Sequence, residues 1–487
     1  MISISFLISF ITVIGLSYVS SYISNYFVIA IGLYCVYEQI NFKILRGSIP
    51  GPLIIPPIVG FIYESLNPKM KGYANLWKLG DLCATSVFGK FIVVCTNKEM
   101  VKQIFTESTG VVQLCLVDSM KQIISPENFV FSFGNIHKIQ KGSFISFLTK
   151  KSIEKYAVSQ LDNMTKEISQ WKMSFNKNHY NYNFRWLNLH AFFSVFFGSF
   201  LDKQHYNQIA EDLETLTQAL QLVNFPIALP GTKVYNAIHA RKRIVNSFKE
   251  AIKLCQQKVN INYESIIDEK DKKVMLYQIM TAKSDSDMIN NHEQLALALF
   301  SFIFASQDAM SSSVSWIISR LVNHQDIQES LYNEIKDVTD IQTLCDNKVL
   351  ESFIKESLRT RPSVIMVPHK LSQSYKIGDH TLQPNTIIIP SIWATAHDSS
   401  NYEHPNEFKP TRFIDSKENF SNSFTFGCGL HSCMGYNFTI QHLLLMVVAI
   451  LKQYTVTSEK PIDMNDVRIF STSYPNKDVK FKFIIRE

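Results

Sequence analysis

The chain has 487 residues, 46% of them hydrophobic and 18% charged, a balance that can fill a large buried core and excludes a disordered polymer. A formal net charge of +6 without an arginine-rich stripe excludes a nucleic-acid footprint, so no nucleic-acid partner is expected. Eight cysteines with no CxxC pair argue for reduced thiols rather than a disulfide framework or a structural zinc site.

No charged residue precedes Glu38, and Ile, Leu, Val, Phe and Tyr dominate residues 2–37. A helix needs about 20 largely apolar residues to cross the hydrocarbon, so this stretch is expected to be a membrane anchor. It lacks the basic start and short apolar core of a cleaved signal peptide. Ser20, Ser21 and Asn25 interrupt it, leaving either one long tilted span or two shorter segments. Lys43 and Arg46 follow, which by the basic-residue bias places the body on the cytoplasmic side. Pro50-Gly51-Pro52 and Pro56-Pro57 then stop the helix. The expected division is an anchor at 1–37, a proline-rich hinge at 38–60 and one catalytic domain at 61–487.

In the body, residues 89–95 predict a strand, 295–320 and 346–360 predict helices, and 375–378 and 386–389 predict short strands around polar turns. Extended character returns at 479–485. The expected fold class is mainly α with small β-sheets, without internal repeats.

Five features carry chemistry. Lys141 is a cation within a helical pattern, although a lysine on a solvated helix face is the ordinary explanation. Phe304 closes the apolar front of the predicted helix 295–320. Ala305 and Ala309 leave room on one face for a flat group, while Gln307 and Asp308 can hold water or relay a proton. Glu356 and Arg359 share a helical face, and Arg412 brings a guanidinium able to join them. Finally, Phe426, Gly429, His431, Cys433 and Gly435 form a glycine-framed turn before an apolar helix. The glycines let backbone approach a flat cofactor, His431 can donate to its anionic edge, and Cys433 is the expected axial thiolate of a haem iron. Cys428 has the weaker claim because it lies inside the turn.

Together these residues resemble the cytochrome P450 superfamily. Phe426, Gly429, Cys433 and Gly435 meet its FxxGxxxCxG pattern, Glu356 and Arg359 its ExxR pattern, and Pro410-Thr411-Arg412-Phe413 its third element. The distal helix departs from the common AGxDTT motif: Ser306 replaces glycine and Ala309 replaces threonine. Nearby water, Gln307 or Ser311 then supplies the proton route, or the site runs chemistry with different proton demands. The Gln307-Asp308-Ala309 triplet followed by Ser311, Ser312 and Ser313 is similar to the form in sterol C-22 desaturases, as is the segment from Arg361 to Pro368. Lys141 stands where that superfamily commonly has arginine.

The resemblance implies a cytochrome P450 fold, haem b (iron protoporphyrin IX) bound through Cys433, and electrons from NADPH delivered by NADPH-cytochrome P450 reductase. It further implies a sterol substrate, membrane lipid as a partner, and an endoplasmic-reticulum location with the catalytic domain facing the cytoplasm. The expected reaction is insertion of a C22–C23 double bond into a sterol side chain. The alternative is a membrane-bound monooxygenase that hydroxylates a sterol or other lipid. A haem-binding sensor explains less of the helix-to-loop constellation. Candidate sterol-wall residues are Phe131, Phe133, Phe225, Phe304, Val364, Ile365, Met366, Phe470 and Tyr474.

Overall fold

The structure is a computed structural model that describes residues 25–61, 78–116, 118–171, 180–220, 228–260, 267–282, 287–414, 418–470, 472–476 and 479–487. Residues 1–24 of the expected anchor and the wall candidate Phe225 lie outside the described residues. The chain divides into two units, residues 1–115 with 366–395, and residues 116–365 with 396–487.

The first unit carries helix α1 (Asn25–Arg46) and a five-stranded sheet. Its strands are β1 (Leu82–Val87), β2 (Lys90–Cys95), β3 (Val112–Leu114), β4 (His369–Leu371) and β7 (Ile387–Pro390), in the order β1-β2-β7-β4-β3. A separate hairpin, β5 (Tyr375–Ile377) and β6 (His380–Leu382), precedes β7. β1 and β2 pair as a tight hairpin, with Cys83 opposite Val94 and Val87 opposite Lys90. β2 and β7 run parallel with Ile92 opposite Ile387, and alternate side chains such as Val93 and Ile388 are fully buried. The strands expected at 89–95, 375–378 and 386–389 are therefore present to within a residue. α1 runs without a break through residues 37 and 38, and the prolines that follow are bonded to it: Gln39 Nε2 donates to the Ile55 carbonyl at 2.7 Å, and the Ile58 N–H to Glu38 at 2.7 Å.

The second unit is helical. Its principal helices are α2 (Gly134–Ile145), α3 (Tyr180–Phe196), α4 (Lys233–Asn260), α5 (His292–Asn323), α6 (Lys348–Thr360) and α7 (Tyr436–Leu451). α5 exceeds its expected span at both ends; at its start Asn291 caps it, accepting from the N–H groups of Glu293 and Gln294 at 3.0 and 3.2 Å. α6 begins after Asn347, whose side chain accepts from Leu350 N at 2.9 Å. α7 is buried at every position from Gln441 to Leu451, so it is hydrophobic all round rather than amphipathic. α5 packs on α3, α4 and α6, and α7 on α6 and the helix Ala157–Ser169. Two pairs complete the unit, β8 (Tyr454–Ser458) with β11 (Phe481–Ile485) and β9 (Val467–Phe470) with β10 (Thr472–Pro475). Among the described residues, α5 is the one helix long and apolar enough to cross a membrane, and most of it is buried inside the protein.

Candidate functional site

The cysteine turn is shaped by left-handed backbone. Phe424, Gly427 and Gly429 have φ of +53°, +66° and +71°. Glycine meets two of these demands without a Cβ penalty. The Gly427 N–H donates to the Phe424 carbonyl at 2.8 Å and the Cys433 N–H to the Phe426 carbonyl at 2.9 Å, closing the loop on itself. Gly435 then caps α7, whose N-terminal dipole favours negative charge on the sulfur two residues earlier. Surrounding protein raises the Cys433 thiol, and the Gly435 N–H and the Lys141 charge oppose that rise. The residue is nevertheless solvent-accessible, so its sulfur lies deep among protein atoms with one side open. Cys428 sits inside the turn between the two left-handed glycines. A cavity of about 530 Å³ opens beside the loop, lined by Lys355 of α6, Phe424, Phe426, Ser432, Cys433 and Tyr436.

α2 braces this loop. Lys141 Nζ donates to the carbonyls of Leu430 and Ser432, both at 2.8 Å, and to Ser432 Oγ at 3.2 Å. Burial lowers the Lys141 ammonium, and Cys433 opposes the shift. His137, one turn earlier, stacks on His431 with ring centres 4.0 Å apart, and Phe133 lies 6.3 Å from the same imidazole. His137 is buried and its imidazolium is disfavoured by that burial. Phe426 makes an edge-on contact with Tyr436 at 5.0 Å.

α6 carries a buried charge network. Glu356 receives Arg359 Nε at 2.7 Å and a second guanidinium nitrogen at 2.8 Å, together with Arg412 Nε at 3.0 Å and the Lys409 N–H at 3.0 Å. Arg359 also donates to the carbonyls of Ala396 and Pro405, at 2.6 and 2.8 Å, and Arg412 to Glu418 at 2.9 Å. Glu356 and Arg359 are fully buried and Arg412 nearly so. With every charge bonded, the network ties α6 to residues 396–418.

The distal helix separates its polar and small residues. Ala305 is exposed within the otherwise largely buried α5, and Phe302 and Ala309 on the same face are partly accessible. The named polar residues turn toward α3. Arg185 donates to Asp308 Oδ1 at 2.5 Å and also pairs with Glu214. Burial alone would lower the Arg185 guanidinium, and the neighbouring carboxylates of Asp308 and Glu214 outweigh it, leaving it raised. Gln307 donates to the Arg185 carbonyl at 3.2 Å, and Ser311 is fully buried between the Gln307 carbonyl at 2.7 Å and Asn188 at 3.1 Å. Asn188 Oδ1 in turn lies 2.9 Å from His442 Nε2 of α7. A second hydroxyl pair sits one turn beyond Ala309: Ser313 and Ser363 are 2.8 Å apart and both donate to the Ala309 carbonyl at 2.8 Å.

The wall candidates are dispersed. Phe131 packs against the larger core cluster, and Phe304 stacks on Phe300 at 5.7 Å. Ile365 is buried, Val364 is partly accessible, and Met366 in the first unit bridges to Ser391. Phe470 closes β9 opposite Thr472. Tyr474 is buried with its hydroxyl donating to the Asp308 carbonyl at 3.0 Å. Of the candidates whose side chains are described, none lines the cavity beside Cys433. Arg185, Asn188, His137 and His442 carry no motif that would single them out in the sequence; each is brought to the site by helix packing.

A haem-thiolate group fits these donors. One accessible sulfur lies next to a helix N-terminus and a backbone donor, the soft-ligand setting in which a thiolate binds iron. Gly435 keeps the space beside that sulfur free of a side chain, since a Cβ there would lie 3.8 Å from it. Among the described residues no cluster of three His, Cys, Asp or Glu side chains offers a rival metal site.

Residues 56–483 match the family Cytochrome P450, and the chain belongs to it. It is similar to the C-22 sterol desaturase ERG5 of Saccharomyces cerevisiae, 27% identical over 93% of this chain and 88% of that one. The C-22 sterol desaturase erg5 of Aspergillus fumigatus is 26% identical over 90% of each chain. The solved structure of retinoic acid-bound cyanobacterial CYP120A1 matches with a TM-score of 0.76 and 20% identity, covering 90% of this chain and 99% of that one, which establishes the mainly helical P450 fold. Haem-thiolate oxidoreductase chemistry with electrons from an NADPH-dependent reductase is typical of this family.

Proposed function

We propose that this protein introduces the C22–C23 double bond into a sterol side chain, as a membrane-bound enzyme of the endoplasmic reticulum with its catalytic part facing the cytoplasm. Cys433 would hold haem b, which when bound supplies the oxidising chemistry. Lys141 and the His137–His431 stack hold the loop that presents the sulfur. Their role is to keep that loop in one geometry.

The observation that carries the reading is the distribution of polarity on α5. The accessible face offers Ala305 and Ala309, apolar and small, while Gln307, Asp308 and Ser311 are bonded toward α3. An apolar face of this kind suits a flat group and a hydrocarbon chain. The similarity to C-22 sterol desaturases over nine-tenths of the chain supports the same substrate class. In the balanced reaction two hydrogens leave the sterol and join dioxygen, two electrons and two protons to give two waters. Protons therefore still have to arrive from solvent. Arg185 pairs with both half-exposed Glu214 and buried Asp308 and keeps its own proton, so it orients the Asp308 carboxylate without relaying a proton itself. Asp308 is assigned the inner end of that route.

The test is reconstitution of the full chain with NADPH-cytochrome P450 reductase, lipid and a panel of sterols. A product lighter than its sterol by two hydrogens, and unsaturated at C22–C23, is the expected result. A product heavier by one oxygen would replace this reading with sterol hydroxylation.

A further inference from the structure

We propose that Ser313 of α5 and Ser363, just past the end of α6, form a seat for one water molecule on the accessible face of α5, and that this water supplies the site with exchangeable protons. The inference rests on the sterol reading above for its substrate and goes beyond it in naming where the hydroxyl chemistry lies.

Phe302, Ala305, Ala309 and Ser313 recur at helical spacing, so they share one face of α5, and the first three are its accessible positions. Ser313 Oγ and Ser363 Oγ are 2.8 Å apart, and each lies 2.8 Å from the Ala309 carbonyl oxygen. Three short oxygen–oxygen contacts therefore share two hydroxyl hydrogens. Whichever way the hydroxyls turn, one contact is left without a hydrogen, while each hydroxyl oxygen keeps an acceptor lone pair. Among the described residues no other donor is bonded to either hydroxyl. An outside donor completes the set, and water is the donor that a polar spot with roughly two to four partners holds.

The other role open to these hydroxyls is to staple residue 363 to α5, and other bonds already do that. The Ser473 N–H of β10 donates to the Ser363 carbonyl at 2.8 Å, and Ser473 Oγ to the Pro362 carbonyl at 2.7 Å. Trp316 Nε1 of α5 donates to the Ser473 carbonyl at 3.0 Å, and the Ser312 hydroxyl donates to the same oxygen. Ser311 is fully buried, with its hydroxyl held between the Gln307 carbonyl and Asn188. Gln307 and Asp308 are likewise bonded toward α3. The seat therefore puts a hydrogen-bonding group at the end of the face that these residues leave apolar. A water held there gives one proton toward the site and takes one from solvent, so its O–H bonds are restored and no oxidant or reductant is used. Ser313 and Ser363 are positioning residues, because they act through that water.

Two measurements on the haem-loaded full chain test this. In a crystal structure of the wild type in detergent, a water within about 3 Å of both Oγ atoms is expected, and it should be absent when Ser313→Ala and Ser363→Ala are combined. A wild type without that water overturns the proposal. With reductase, lipid and sterol, the double variant should keep its haem content and sterol KM. Its total oxidised sterol per haem, desaturated plus hydroxylated, should fall about tenfold, and the D₂O effect on kcat should rise about twofold as proton supply becomes the slow step. Ser363→Thr, which keeps a hydroxyl, should retain wild-type values. Loss of haem in step with turnover, or a fall in turnover with an unchanged D₂O effect, would make the pair a staple and overturn the proposal. Because both products are counted, a hydroxylated sterol would sink the desaturation reading alone.

Discussion

At the residue scale, Asp308 illustrates what a motif conveys and what it omits. The sequence marks a carboxylate in the middle of an apolar helix, but its partner Arg185 lies 123 positions away. No spacing rule links residues so distant; the packing of α3 on α5 selects the pair. Asp308→Asn keeps the shape and removes the charge. If Asp308 hands on protons that arrive from solvent, turnover should fall by about a hundredfold while haem content is retained. Parallel measurement of haem incorporation and sterol conversion checks this, and a matched loss of both would make Asp308 a folding residue. The tight turn around Cys433 was legible because Gly429 and Gly435 frame it, whereas the brace from Lys141 to Leu430 and Ser432 crosses almost 300 residues and was not.

At the element scale, α6 and α7 carry buried polar groups of different kinds. The helix spacing of Glu356 and Arg359 announced their pairing, and Arg412 completes it as expected from the sequence. Glu356→Gln leaves two buried guanidiniums without their shared carboxylate. The expected cost is about 3–5 kcal/mol of folding stability. Urea unfolding of the apoprotein and haem content per chain would measure it, and a loss below about 1 kcal/mol, the range of a surface pair, would contradict the network's role.

α7 carries a feature that hydrophobic patterning conceals. His442 is almost fully buried among aliphatic residues, and burial pushes its imidazolium down to about 3. An unfolded chain binds that proton near its ordinary value of about 6.5. Stability from this group is therefore complete above about 6.5 and is lost progressively as pH falls toward about 3, at up to about 1.4 kcal/mol per pH unit. Unfolding free energies over that range should decline less steeply for His442→Gln than for the wild type. Identical slopes would show that the histidine is not held neutral. The helix ends were less legible than the helices themselves, because Asn291 and Asn347 act as caps only once the following backbone is helical.

At the scale of the whole molecule, the mainly helical P450 fold with small sheets was readable from a few motifs and the alternation of apolar segments, and the match at a TM-score of 0.76 bears it out. The assembly of the five-stranded sheet was not readable. It joins β2 to β7 in parallel across nearly 300 residues, a pairing that depends on long-range packing rather than on any local signal. The bonds that Glu38, Gln39 and Arg46 make to residues 51–58 were not readable either, since they come from a helix that continues past residue 37.

The division between desaturation and hydroxylation belongs to this scale as well, because both draw on the same dioxygen, electrons and protons. They differ in where the oxygen goes. The most direct measurement is a single reconstituted turnover series under ¹⁸O₂ with a sterol deuterated at C22 and C23. The account predicts a product that has lost one deuterium from each carbon and carries no ¹⁸O; a product that retains ¹⁸O on the side chain and loses deuterium from one carbon alone would contradict it.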